Sequence, residues 1–151
     1  PEHSQCLCFH KTEGAGSATY HLTFPKATGR VIAEFDIRCE QKNKFLLGVY
    51  LEKNEDFKQS IHTIVHQLDA NSPAALRIQG VAAPYEMTTW RRVRFQLDLE
   101  NALVDGYVDD VSVVNSAALP SAPDYINTIS IRDNLATTGT LLIDNIRIWE
   151  A

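Results

Sequence analysis

Between Val31 and Glu40 the chain alternates: Val31, Ala33, Phe35, Ile37 and Cys39 fall on one side, and Glu34, Asp36, Arg38 and Glu40 on the other, with Ile32 the one exception. A period of two puts one set of side chains in a core and the other in solvent, the pattern of a half-buried β-strand. The stretch Trp90–Leu99 repeats it, with Val93, Phe95, Leu97 and Leu99 inward and Arg92, Arg94, Gln96 and Asp98 outward. Applied along the chain, the same reading predicts strands at about Gln5–Lys11, Ser17–Phe24, Gly29–Glu40, Lys44–Lys53, Gln59–Leu68, Ala75–Val81, Trp90–Leu99, Leu103–Asp109, Val111–Val114, Tyr125–Arg132 and Thr140–Trp149. It predicts no helix. Turn residues separate the strands: Glu13–Gly16, Pro25–Gly29, Gln41–Asn43, Asn71–Pro73, Asp109–Asp110, Pro120–Pro123, and Asp133–Asn134 with Gly139. Many short antiparallel strands at this spacing imply an all-β sandwich or jelly roll. Asn115–Asp124, rich in Ser, Ala and Pro, is expected as a long surface connection, and Ala82–Thr89 as a loop that exposes Tyr85.

The 151 residues suit a single domain spanning positions 1–151, since about 100–150 residues is the commonest domain size. No apolar run approaches the ~20 residues of a bilayer-crossing helix. The formal net charge is −5 and no basic cluster goes beyond Arg91, Arg92 and Arg94, so the electrostatic footprint of a nucleic-acid binder is missing. The chain opens Pro1-Glu2-His3, with neither an initiator Met nor an apolar leader, and reads as a piece excised from a longer protein. Of the three cysteines, Cys39 continues the apolar alternation as a buried thiol. Cys6 and Cys8 share one strand face at a spacing that disfavours a mutual bridge, and a bridge from either to Cys39 requires their strands to be adjacent. Cys-x-Cys with one distant Cys also lacks the paired spacing of a zinc site.

Four segments carry a resemblance: Gly29–Arg38 (GRVIAEFDIR), Trp90–Asp98 (WRRVRFQLD), Val104–Asp109 (VDGYVD) and Gly139–Ile148 (GTLLIDNIRI). Together they resemble the concanavalin A-like lectin/glucanase jelly roll, in the form found as accessory domains of bacterial polysaccharide-degrading enzymes. The resemblance covers nearly the whole chain. It implies a lectin-like, carbohydrate-binding module that is secreted, periplasmic or at the cell surface, with a polysaccharide as ligand and a catalytic domain flanking it in the same chain. Galactose-binding-like carbohydrate modules close on a similar Ile-Asp-Asn strand, so that topology stays open. In several such modules the equivalent of Asp144 helps hold a structural calcium. Calcium needs six to eight oxygens, and the alternative is that Asp144 and Asn145 satisfy backbone groups at a turn or strand edge.

If the strands that start near Val31, Lys44, Gln59, Trp90 and Tyr125 share one sheet, its solvent side displays a candidate binding face. Asp36 and Arg38 come from the first, with Glu34 beside them, and Tyr50 from the second. His62 and His66 come from the third, Arg92, Arg94 and Gln96 from the fourth, and Arg132 with Ser130 from the fifth; loop residue Tyr85 joins them as an exposed aromatic. Sugars offer flat C–H patches and fans of hydroxyls, which aromatic rings and planar polar groups match. Arginines and histidines would further favour uronic acid or sulfated units. The same side chains also suit an ordinary solvated sheet with cross-strand ion pairs, each contributing about 0.2–1 kcal/mol.

A catalytic reading is the main alternative. A jelly-roll lyase would use Arg or Gln to neutralise a uronate and His62 or a Tyr to take the adjacent proton, but the Tyr-rich closing motif of alginate lyases is absent. A retaining glucanase needs two carboxylates about 5–5.5 Å apart, and Glu34-x-Asp36 continues as Ile37-Arg38-Cys39 without the required third acid. Trp90 and Trp149, at strand ends, read as caps on the core or as ligand platforms. A structural spacer that packs against a catalytic domain is the remaining alternative.

Overall fold

The structure, a computed structural model, describes residues 3, 5–12, 19–40, 45–56, 61–67, 75–86, 88–119, 123–133 and 139–151. Among the described residues there are twelve strands: β1 (Leu7–Lys11), β2 (Thr19–Thr28), β3 (Arg30–Cys39), β4 (Phe45–Glu52), β5 (Ile61–Gln67), β6 (Ala75–Ile78), β7 (Val81–Pro84), β8 (Arg91–Asp98), β9 (Leu103–Val108), β10 (Val111–Ala118), β11 (Tyr125–Asp133) and β12 (Gly139–Glu150). They form two six-stranded antiparallel sheets. Sheet A runs β1-β12-β3-β8-β9-β10 and sheet B runs β2-β11-β4-β5-β6-β7. The all-β, two-sheet jelly-roll sandwich expected from the alternation and the resemblance together is therefore the observed architecture.

Each sheet turns its apolar face inward. From sheet A, Val31, Ala33, Phe35, Ile37, Val93 and Phe95 are at most 1% exposed; from sheet B, Val49, Leu51, Ile61, Leu76, Ile78 and Ile131 are as well buried. Gly106 of β9 faces Ile78 of β6 at close quarters, since a Cβ at Gly106 would lie 2.5 Å from Ile78 Cγ2. Cys39 is a buried free thiol, as its place in the alternation predicts, and burial pushes its pKa well up. Cys6 and Cys8 are exposed and free, and β12 lies between β1 and β3, so the strands that a bridge to Cys39 would join are not adjacent.

The structure departs from the sequence reading in four places. The five strands expected in one sheet are divided: β3 and β8 belong to sheet A, and β4, β5 and β11 to sheet B. Alternation fixes which residues of a strand face inward, whereas strand order depends on long-range pairing that no local pattern encodes. β2 continues through Pro25 to Thr28 where a turn was expected; β2 is an edge strand, where a missing N–H costs no ladder bond. β10 runs to Ala118, through two register shifts against β9, into the segment expected as a surface connection. Lastly, Val81–Pro84 forms β7 and carries Tyr85 inward to 8% exposure. The Tyr85 hydroxyl accepts from the Cys39 amide at 2.9 Å and donates to the Thr89 carbonyl at 3.4 Å, and burial pushes its pKa up. Tyr85 is a core residue, and its expected role as an exposed ligand aromatic is corrected.

Candidate functional site

The ten ligand residues put forward from the sequence fall into three places. Asp36, Arg38, Arg92, Arg94 and Gln96 lie on the outer face of sheet A. Tyr50, His62 and Arg132 lie on the outer face of sheet B, across the core from the first group. His66 is placed in β5, with its side chain outside the described ones, and Tyr85 is in the core.

On sheet A the charged side chains pair with one another, some across strands and some along one segment. The Arg92 guanidinium donates to Asp36 (Nε–Oδ1 3.0 Å), Arg94 meets Asp110 at 2.6 Å, Arg91 meets Asp109 at 2.8 Å and Arg38 meets Glu40 at 2.6 Å. Arg94 also lies over the Tyr107 ring, 4.7 Å from its centroid. Asp36 is 3% exposed. Its burial raises the carboxyl pKa, but hydrogen bonds from Arg92 and Asn145, with the charges of Arg92 and His3, outweigh that and hold it below the usual value. His3 stacks on Trp90 with centroids 4.0 Å apart and rings 14° from parallel, and its Nδ1 reaches Asp144 Oδ2 at 3.1 Å. The charges on this face are thus paired within the chain, around an open polar concavity of about 260 Å³ lined by His3, Asp36, Trp90, Arg91, Arg92, Asp109 and Asp110.

Asp144 sits at a bulge in β12, where Asn145 takes a positive φ of 52°. Its Oδ1 accepts the Asn145 amide at 2.7 Å, and the Asn145 side chain donates to Asp36 Oδ2 at 2.7 Å. The groups facing these carboxylates are N–H donors, the reverse of the oxygen shell that calcium takes. Among the described residues no three His, Cys, Asp or Glu side chains are grouped to hold a metal ion. The residues around Asp144 do not fit a calcium, and they satisfy a bulged backbone instead.

Sheet B carries a different arrangement. Its register aligns His21 of β2 with Ser130 of β11, Ser130 with Tyr50 of β4, and Tyr50 with His62 of β5, so four side chains form one row across four strands. One position along, Glu52 stands opposite Thr128; on the other side of the row, Arg132 stands opposite Gly48. Gly48 has no side chain, and Tyr50 lies over it: a Cβ there would meet the Tyr50 ring at 2.5 Å. Arg132 crosses above the row, 5.7 Å from the Tyr50 ring centroid, and closes a fork on Glu52 with Nε at 3.2 Å and Nη2 at 2.7 and 2.8 Å.

Glu52 is wholly buried on a face that alternation assigns to solvent, as are Ser130 at 0% and Thr128 at 1% exposure. The Ser130 hydroxyl donates to Glu52 Oε2 at 2.5 Å, which leaves its oxygen to accept the Nδ1–H of His21 at 2.7 Å. The chain His21→Ser130→Glu52 thus fixes the His21 tautomer through the single hydroxyl proton. His62 packs 5.7 Å from Tyr50, its amide donates to the Gln79 side chain at 3.0 Å, and burial lowers its pKa. Burial raises the Tyr50 pKa, with the Arg132 charge working against it. The buried pair matters energetically, because removing one member of such a pair leaves the other uncompensated at a cost of about 3–5 kcal/mol.

Sequence reasoning placed Tyr50, His62 and Arg132 outward but missed Glu52, His21 and Gln79 as their companions. Glu52 was within reach, since it continues the outward set Gly48, Tyr50, Glu52 of its own strand. His21 needed knowledge that β2 lies beside β11.

No protein-family model and no curated protein sequence matches the chain. Solved structures do. A sialidase aligns over 97% of this chain at TM-score 0.74 and 14% identity, although the chain spans only 15% of that protein's length. The carbohydrate-binding module CBM66 from Bacillus subtilis aligns over 97% of this chain and 92% of its own at TM-score 0.59 and 15% identity. The metal-free carbohydrate recognition domain of Emp46p aligns over 97% and 88%, at TM-score 0.54 and 10% identity. At these identities the shared property is the fold, and the fold is the concanavalin A-like jelly roll that the sequence resembles.

Proposed function

We propose that the chain is a non-catalytic, lectin-like carbohydrate-binding module. The observation that carries this reading is the in-register row His21–Ser130–Tyr50–His62 with the Arg132–Glu52 fork locked across it. A sugar presents hydroxyls in fixed directions, and the partly exposed His21, His62 and Arg132, held in place by the buried Ser130, Tyr50 and Glu52, bind them without first ordering side chains. The carboxylate in the row supports a binding rather than a hydrolytic role. Glu52 is engaged by Ser130 and by the Nε and Nη2 donors of Arg132, which occupies the lone pairs that a nucleophile or a general base would need.

Two of the structural neighbours are themselves described as carbohydrate-binding or carbohydrate-recognition domains, and the sialidase match covers a small part of a much longer protein. These support a module that works beside a catalytic domain in one polypeptide and tethers it to a polysaccharide outside the cell, secreted or at the surface. The test is a glycan array with the chain, run beside assays for new reducing ends and unsaturated uronates. Binding without products is the expected result. Products would make it a hydrolase or lyase, and silence in every arm would leave a structural spacer.

A further inference from the structure

On the outward faces, the positive charges that the sequence offered for acidic sugars are already answered. Arg38 pairs with Glu40, Arg92 with Asp36 and Arg94 with Asp110. In the row on sheet B, Arg132 turns its Nε and Nη2 edge onto Glu52. A uronate or sulfate is gripped by a guanidinium edge that offers two parallel N–H donors. In Arg132 the Nε/Nη2 edge is taken by a carboxylate of the protein itself. Glu52 is moreover wholly buried, where water screens its charge least. An anionic sugar group laid on the row would meet a guanidinium whose charge Glu52 already neutralises, instead of an open fork.

Resting on the reading of this face as a glycan site, we infer that it selects neutral glycans and that Glu52 is the residue that sets the choice. Hydroxyl groups, which donate as well as accept, suit a face that presents His21, His62 and the outer side of Arg132 over the buried Ser130, Tyr50 and Glu52. Burial keeps the His62 imidazole neutral near pH 7, so it too recognises a hydroxyl rather than an anion.

The test measures affinities of the whole chain for three panels: neutral oligosaccharides, uronate oligosaccharides, and sulfated oligosaccharides. Wild type is expected to bind a neutral glycan at least tenfold more tightly than any acidic one. That affinity should change less than twofold from about 0.05 M to about 0.5 M salt, since no charge pair forms with the ligand. Glu52→Gln keeps a side chain of the same shape on Arg132 and removes the charge; it is expected to raise uronate affinity relative to neutral glycan at least tenfold. If that variant does not fold, the salt series on wild type decides alone, and strong salt dependence overturns the inference. A wild-type preference for acidic glycans, or a folded Glu52→Gln with unchanged preference, also overturns it while leaving the glycan reading standing. Failure to bind any panel overturns the reading on which it rests.

Discussion

Replacing Gly48 by Ala separates the stability of the sandwich from the shape of its outer face. Glycine inside a strand is destabilising by about 0.5–1 kcal/mol relative to Ala through the entropy of the unfolded chain, so the substitution starts with a gain of that size. Against it, the new Cβ would lie 2.5 Å from Tyr50 Cε2 and 2.7 Å from both Cζ and the hydroxyl, nearly an ångström inside the 3.4 Å of ordinary contact. The ring lies at the far end of a rotatable side chain and swings away. In doing so it gives up its packing beneath Arg132 and beside His62. An aromatic contact of this kind is worth about 0.5–1.5 kcal/mol, so the two effects nearly cancel. Chemical denaturation should therefore find Gly48→Ala within about 1 kcal/mol of wild type, given these opposing terms. Glycan affinity should fall at least tenfold, because the displaced ring enters the row. Unchanged affinity in a folded Gly48→Ala would refute the claim that the Tyr50 pose is part of the site.

Three further outcomes follow from the packing. Gly106→Ala brings a Cβ to 2.5 Å from Ile78 Cγ2, between two sheets that cannot separate locally; overpacking should cost about 1–3 kcal/mol in urea unfolding, with a smaller penalty in an Ile78→Ala background. Thr63 is wholly buried and its hydroxyl has no partner among the described residues, so Thr63→Val should stabilise by about 1 kcal/mol by removing an unsatisfied group; a loss of stability would mean that the hydroxyl is bonded. Burial lowers the His62 pKa, so the unfolded chain takes up a proton more readily than the folded one. Stability is thus full above the unfolded histidine value of ~6.5 and falls as pH drops through it toward the folded value. The fall in Tm from about pH 7 to about pH 5 should be shallower in His62→Gln than in wild type.

The sequence made the faces legible and the neighbours illegible. Phe35 and Phe95 could be placed in the core, and Tyr50, His62, Arg92 and Arg132 outside it, because each strand reports its own period of two. Nothing local says that β12 threads between β1 and β3, or that β3 and β4, consecutive in the chain, lie in opposite sheets. That is why one expected binding face became two. Tyr85 was misread for a related reason: the strand was ended at Val81 and Ala82–Thr89 taken as a loop, while β7 returns along β6 and carries Tyr85 inward. Glu52 went unnoticed because burial of an acid on an outer face depends on Ser130 and Arg132, some 78 and 80 residues further along the chain.

The most direct test of the central claim is to titrate the isotope-labelled chain with a neutral oligosaccharide and follow its amide resonances. The account predicts shifts centred on His21, Tyr50, His62, Ser130 and Arg132, with Asp36, Trp90 and Arg92 on the opposite face unmoved. Shifts confined to sheet A, or to the open edge around Trp149, would contradict it.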